Sequence, residues 1–164
     1  MHLLIIRHAI AVPHGTPGVA EDERPLTSRG IRRFQDAARG LARVCPRPDV
    51  ILTSPLVRAR QTAEIAAAAW GRVKPRDEKA LAGGSFEEVA AAVEKHAGKK
   101  LVVIVGHEPH FSLLLARLLG SDAPERLTFK KGGAALVDLP DGVSGGGVLI
   151  WFLKPKVLRA LAGD

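Results

Sequence analysis

Three stretches of this chain end an apolar run with side chains that can do chemistry. Arg7-His8 follows Leu3-Leu4-Ile5-Ile6, Ser54-Pro55-Leu56-Val57-Arg58 follows Val50-Ile51-Leu52-Thr53, and Gly106-His107-Glu108-Pro109 follows Leu101 to Val105. In an open parallel sheet the carboxyl ends of the strands share one edge, and ligands bind there. His8, His107, Arg7 and Arg58 can therefore converge although they lie far apart along the chain. Such a cluster suits a phosphoryl group, because guanidinium forks grip its oxygens and an unprotonated imidazole can attack phosphorus.

An imidazole of ordinary pKa, about 6.5, is largely neutral at pH 7. To act as a nucleophile His8 needs only to be aimed, and a hydrogen bond from its other ring nitrogen to a backbone carbonyl would do that. Arg7 beside it points the same way, since two potentially cationic groups repel unless an anion lies between them. If Ser54 caps the following helix, Arg58 falls in its first turn, where free amides and the helix dipole already favour phosphate. His107 follows Gly106, whose missing side chain would let the backbone approach a ligand, and the helix opened by Pro109 brings a second positive helix end.

The elements that must hold these residues can be read from periodicity. Residues 2–8 form a buried strand, and residues 10–26, with Pro13, Gly15, Pro17, Gly18 and Pro25, form a long loop of the kind that carries function. Thr27 or Ser28 caps a helix with the apolar stripe Ile31, Phe34, Ala38, Leu41. A strand over Val50 to Thr53 leads into a helix that starts at Ser54-Pro55 and ends at Trp70. A short polar edge strand lies within 73–81, and Ser85 with Glu88 forms a capping box for a helix closed near Gly98. Leu101 to Val105 is a buried strand, and Pro109 opens the next helix. Ala134 to Leu139 and Val148 to Leu153 form two strands around a glycine-rich turn, and Lys156 to Ala162 a short helix. Alternating strands and helices argue for an α/β fold with a mostly parallel sheet and a late antiparallel pair.

Composition narrows the class of protein. At 164 residues, 46% hydrophobic and 25% charged, the chain fits one globular domain over 1–164 with a real core. No apolar run reaches the ~18 residues that span a bilayer, and Arg7 and His8 interrupt the only N-terminal apolar stretch, so neither a membrane anchor nor a signal peptide is expected. One cysteine, Cys45, allows no internal disulfide, which fits a cytoplasmic protein. The 24 basic and 17 acidic residues give a net charge of +7. With only 4% aromatic residues and no dense basic run, the excess does not point to nucleic acid.

Leu3 to Ala9, Arg24-Pro25-Leu26-Thr27 with Gly30, Ser54 to Ala63, and Gly106 to His110 together resemble the histidine phosphatase superfamily, the phosphoglycerate-mutase-like fold. Within it the chain looks most like the short SixA-type phosphohistidine phosphatases. The resemblance covers nearly the whole chain and implies a three-layer α/β/α sandwich. It also implies that His8 is the nucleophile and becomes transiently phosphorylated, with Arg7, Arg58 and His107 completing the pocket. Ala9 stands where many members have glycine, a departure that keeps the position small.

The chemistry this implies is displacement of the leaving group by His8, followed by hydrolysis of the phosphohistidine by water. No cofactor and no metal are called for, because the cations take the usual role of magnesium and the histidines lack the spacing of a metal site. Glu108, directly after the second histidine, is the candidate proton donor, or else a carboxylate favoured by its helix N-terminus. Arg24, in a loop with Glu21 and Asp22, is a candidate substrate contact or a solvated loop charge. Between Trp70 and Leu101 there is room for one edge strand and one helix but no lid. An open pocket of that kind suits a phosphorylated side chain on a protein, phosphohistidine above all. The alternatives are a phosphomonoesterase of a small metabolite or nucleotide, and an inactive phospho-ligand-binding module.

Overall fold

The computed structural model describes residues 1–71 and 73–163. Its strands are β1 (His2–Arg7), β2 (Val50–Thr53), β3 (Arg76–Asp77), β4 (Leu101–Gly106), β5 (Ala134–Asp138) and β6 (Val148–Leu153). Its helices are α1 (Ser28–Val44), α2 (Val57–Ala69), α3 (Phe86–Glu94), α4 (His110–Leu118) and α5 (Pro155–Leu161). The strands form one sheet in the order β3-β2-β4-β1-β5-β6. β1, β2, β3 and β4 are mutually parallel, whereas β5 pairs antiparallel with both β1 and β6. The expected α/β architecture is therefore present, with the late antiparallel pairing at one side.

The unbroken apolar runs of β1 and β4 have a simple cause. Both strands sit in the middle of the sheet and are covered on both faces. Leu4, Ile6, Ile51, Val103 and Val105 point to a cluster with Phe34, Leu41, Ala63 and Leu158, which belong to α1, α2 and α5. Leu3, Ile5, Leu52, Val102 and Ile104 point the other way, to Val89, Val93, Phe111 and Leu115 on α3 and α4. The alternation of strand side chains thus makes three layers. Among the described residues no helix is long and apolar enough to cross a membrane.

Local signals place most helix ends. Thr27 caps α1 by accepting from the Gly30 amide, and Ser85 and Glu88 form the expected reciprocal box on α3. Two expectations need correction. α2 begins at Val57 rather than at Ser54-Pro55, because Ser54 stays buried at the end of β2 and its amide donates to Val105. α3 ends at Glu94, and tighter turns from Val93 to Lys99 replace its last turn before Gly98. The short polar edge strand expected within 73–81 is present at Arg76 and Asp77, followed by a 3-10 turn over Lys79–Ala82.

Two glycines of α1 let it lie close to its neighbours. A Cβ on Gly30 would stand 2.1 Å from the Ile10 carbonyl oxygen, and one on Gly40 would stand 1.9 Å from that of Leu158. The first contact brings the start of α1 against the loop that leaves His8, and the second seats α5 on α1. Gly40→Ala should therefore destabilise the fold. Alanine gains about 1 kcal/mol of helix propensity, but overlap with a backbone oxygen of a packed helix costs more, leaving a net loss of about 1–2 kcal/mol. Urea unfolding would read this as a lower midpoint with an unchanged slope, and a higher midpoint would mean that α5 yields freely.

Candidate active site

Arg7 and His8 sit where β1 leaves the sheet, and the backbone there is tied on both sides. The His8 amide donates to Gly106 at 2.9 Å, and the Gly132 amide donates to the Arg7 and His8 carbonyls at 3.1 and 3.0 Å. The His8 side chain is buried, with Nδ1 2.7 Å from the carbonyl oxygen of Ala9. A carbonyl only accepts, so Nδ1 carries the proton and the neutral ring keeps its lone pair on Nε2. The backbone of Ala9 is itself tied, because its amide donates to Thr62 Oγ1 at 3.0 Å and that hydroxyl donates to the Arg58 carbonyl at 2.7 Å. Thr62 of α2 thus holds the residue whose carbonyl aims His8.

His107 lies across from His8, with ring centroids 5.2 Å apart and planes inclined by 52°. Its Nε2 is 2.8 Å from Ser54 Oγ, so the hydroxyl expected to cap α2 instead orients the second imidazole. The same oxygen accepts from the Leu56 amide. The expectation for Gly106 also changes. Its open side faces the protein, since a Cβ there would meet the Phe111 ring at 2.7 Å and the Leu81 carbonyl oxygen at 3.2 Å. The missing side chain makes room for Phe111 rather than for a ligand.

The cations are held mainly by carbonyl groups. Arg7 Nη1 donates to the Phe129 carbonyl at 2.6 Å, and Arg58 Nη1 donates to the Glu21 carbonyl at 2.9 Å. Arg24 donates to Val12 O through Nη1, and through Nε and Nη2 to the two Glu21 carboxylate oxygens at 2.9 and 2.7 Å. Glu21 also lies 3.6 Å from Arg58 Nη2, so one residue draws Arg24 and Arg58 together. Glu108 is engaged at both oxygens: Oε2 accepts from the Ser112 amide and hydroxyl, and Oε1 accepts from the Phe129 amide at 2.7 Å. The backbone of Phe129 is thus held at its amide by Glu108 and at its carbonyl by Arg7.

Ser54, Thr62 and Glu21 had no assigned role in the site from sequence, although Ser54 and Thr62 lie in the Ser54 to Ala63 motif and Glu21 in the loop of Arg24. Thr62 left a further trace, as a polar residue on the buried alanine stripe of α2 with Ala59, Ala63 and Ala66. Ser54 read locally as a helix cap.

Electrostatics follow from this packing. Burial, reinforced by His107, Arg58 and Arg7, pushes the His8 pKa down to about 3, against the opposing pull of its bond to Ala9. His107 falls to about 4, first through burial and then through Arg58, His110, Arg7 and Arg24. Burial also lowers Arg7 and Arg58, but a guanidinium starts so far above neutrality that both stay cationic at neutral pH. Two neutral imidazoles therefore stand among fixed positive charges. Arg7 Nε, Arg58 Nε and His107 Nδ1 are buried without a hydrogen-bond partner from the protein. Orphaned buried polar atoms are costly, and here they cluster where an oxyanion would be welcome.

Comparison with known proteins agrees with this geometry. Residues 3–90 match the family described as the histidine phosphatase superfamily (branch 1). An uncharacterized protein of Picosynechococcus sp. is 37% identical over 137 residues, 81% of this chain and 82% of that one. The solved structure of the protein histidine phosphatase SixA complexed with tungstate superimposes with a TM-score of 0.83 at 26% identity, covering 96% of this chain and 99% of that one. The α-ribazole phosphatase of Shigella flexneri shares the fold, with a TM-score of 0.76 at 19% identity over 94% of this chain and 97% of that one. The matched segment spans more than half of the sequence and contains Arg7, His8, Arg24 and Arg58, and on this ground the chain belongs to the histidine phosphatase superfamily.

Proposed function

We propose that this phosphatase works through a phosphorylated His8 and that its substrate is a phosphohistidine side chain on a protein. The observation that carries the reading is the bond from His8 Nδ1 to the Ala9 carbonyl, which leaves Nε2 unprotonated on a ring that has His107, Arg58 and Arg7 as neighbours. In the first step Nε2 forms a bond to phosphorus while the bond to the leaving group breaks in line. In the second, water attacks phosphorus, the N–P bond breaks, and inorganic phosphate leaves with His8 restored. The catalytic contribution is positioning and stabilisation of charge on the equatorial oxygens. The cations already beside Nε2 suffice for this without a metal.

The environment of Glu108 bears on the leaving group. Its oxygens serve Ser112 and Phe129, which favours a role in positioning Arg7 over proton donation. An alkoxide leaving group would need an acid in reach, whereas the imidazole of phosphohistidine can depart already carrying its proton. The likeness to SixA, named as a protein histidine phosphatase and bound to an oxyanion, supports the same class of substrate. Arg24, drawn beside Arg58 by Glu21, would meet the substrate at the rim.

Three outcomes are expected. His8→Ala should lower turnover at least about 1,000-fold and abolish covalent labelling by radioactive phosphoramidate, with chelator present. Retained turnover would remove His8 from the nucleophile role.

The second concerns pH. With p-nitrophenyl phosphate and the substrate's own ionisation divided out, kcat/KM should stay flat as pH falls through 6.5. It should drop only toward the value of about 3 held by His8, because protonation there removes the nucleophile. A limb centred at 6.5 would contradict a buried, neutral imidazole.

The third separates the two roles of Glu108. Glu108→Gln should slow phosphohistidine and phosphoserine hydrolysis by similar factors, about tenfold each, as expected for a weakened hydrogen bond behind Arg7. A much larger loss on the ester would restore Glu108 as proton donor.

A further inference from the structure

Positive charge is unevenly spread along the sheet edge that carries His8. β5 runs opposite to β1 and β6 opposite to β5, so the registers Ile6↔Ala134 and Ala134↔Leu153 bring the loop before β5 and the end of β6 to this edge. The start of α1 reaches it too, since the Thr27 amide donates to the Ile10 carbonyl. Residues 27–35, 129–134 and 153–160 carry eight Lys or Arg and not one Asp or Glu.

Part of this charge is gathered in one place. Arg33, Lys131 and Arg159 line a hollow of about 60 Å³ together with Ala9, the residue after His8. Arg29 and Arg159 act on Arg33 as like charges. Among the described residues none of these four cations takes part in an ion pair, although Arg39, Arg60 and Arg117 elsewhere on the surface each have a carboxylate partner. Like charges held together without a counter-ion repel one another, and an incoming carboxylate relieves that repulsion.

We propose that this basic margin is the docking surface for an acidic stretch of a protein substrate, which it holds while the phosphorylated side chain reaches His8. The inference rests on the protein-substrate reading given above. A bare phosphoryl group is served by Arg7, Arg58 and His107, so cations beyond them are useful only to a ligand with charge outside the phosphoryl group. The only aromatic residues of the three segments, Phe34 and Phe129, are buried, so the margin offers no ring on which a nucleic-acid base could stack. Attraction of this kind acts at a distance, speeds encounter and weakens with salt.

The test compares two synthetic phosphohistidine peptides that differ only in flanking residues, Glu in one and Gln in the other, with p-nitrophenyl phosphate as the small ester. The wild-type protein should favour the Glu-flanked peptide by at least about tenfold in kcat/KM, mostly through KM, and added NaCl should shrink the preference. The pair Arg33→Glu with Arg159→Glu should abolish the preference, and Arg33→Gln with Arg159→Gln should reduce it. Ester hydrolysis should stay within about twofold in both, which also shows that the variants fold.

Equal wild-type rates on the two peptides would overturn the proposal, as would a preference that survives charge reversal or a parallel loss on the ester in the Gln pair. Binding to phosphatidylglycerol vesicles or duplex DNA that vanishes on charge reversal, with both peptide rates unchanged, would overturn it in favour of another anionic surface. If neither peptide is hydrolysed while the ester is, the protein-phosphohistidine reading fails and takes the docking surface with it. Hydrolysis of both peptides at equal rates would leave that reading standing and remove the docking surface alone.

Discussion

A buried imidazole that stays neutral among cations is the constraint around which the rest of this protein is arranged. Water would solvate a protonated His8, but the end of a central strand, closed over by the loop that follows, does not. Burial, with Arg58, Arg7 and His107 as neighbours, opposes the proton more strongly than the Ala9 carbonyl favours it. The one proton that remains on the ring is then placed by that carbonyl. Each support can be traced outward: the Ala9 amide to Thr62, Thr62 to the first turns of α2, and the loop beyond Ala9 to Gly30 of α1. A sheet buried on both faces is what makes such a chain of supports rigid.

The choice of partners for the arginines serves the same end. A carboxylate satisfies a guanidinium but cancels its charge, whereas a carbonyl satisfies N–H groups and leaves the charge available to a ligand. Arg7 and Arg58 each use a carbonyl for their shortest contact, from Phe129 and Glu21. The acids stand one step back. Glu108 accepts from the amide of Phe129, the residue whose carbonyl holds Arg7, and the Glu21 carboxylate bonds Arg24 at 2.7 Å and lies 3.6 Å from Arg58. The result is a site with fixed geometry and uncancelled positive charge, the combination on which stabilisation of a phosphoryl oxyanion depends.

Much of the fold was legible because its signals are local or periodic. The apolar runs of β1 and β4, the Thr27 cap, the Ser85 box and the strands from Ala134 and Val148 all depend on neighbours within a few residues. That His8, Arg58 and His107 meet at one edge could be inferred from strand ends in a parallel sheet. What could not be inferred was which partner each polar atom takes. Ser54 before Pro55 satisfies every local criterion for a helix cap, yet a histidine 53 residues away claims its hydroxyl. Gly106 was misread for a related reason. A glycine beside a functional residue can make room for substrate or for the protein's own side chains, and only the position of Phe111 decides between them.

The change of strand direction at β5 does more than complete the sheet. Had every strand run parallel, only strand ends and helix starts would border the site. Because β5 enters from the His8 edge, the loop before it crosses that edge as well, and Gly132 ties it to the carbonyls of Arg7 and His8. The same reversal returns β6 to the edge, so α5 starts there and packs along α1 through Gly40. One topological step thus gives the site two dissimilar flanks. Toward β2, Glu21 draws Arg24 and Arg58 together; toward β6, among the described residues, Arg33, Lys131 and Arg159 have no carboxylate partner. Under the proposed docking, an asymmetric surround of this sort would distinguish the group that reacts from the body that carries it.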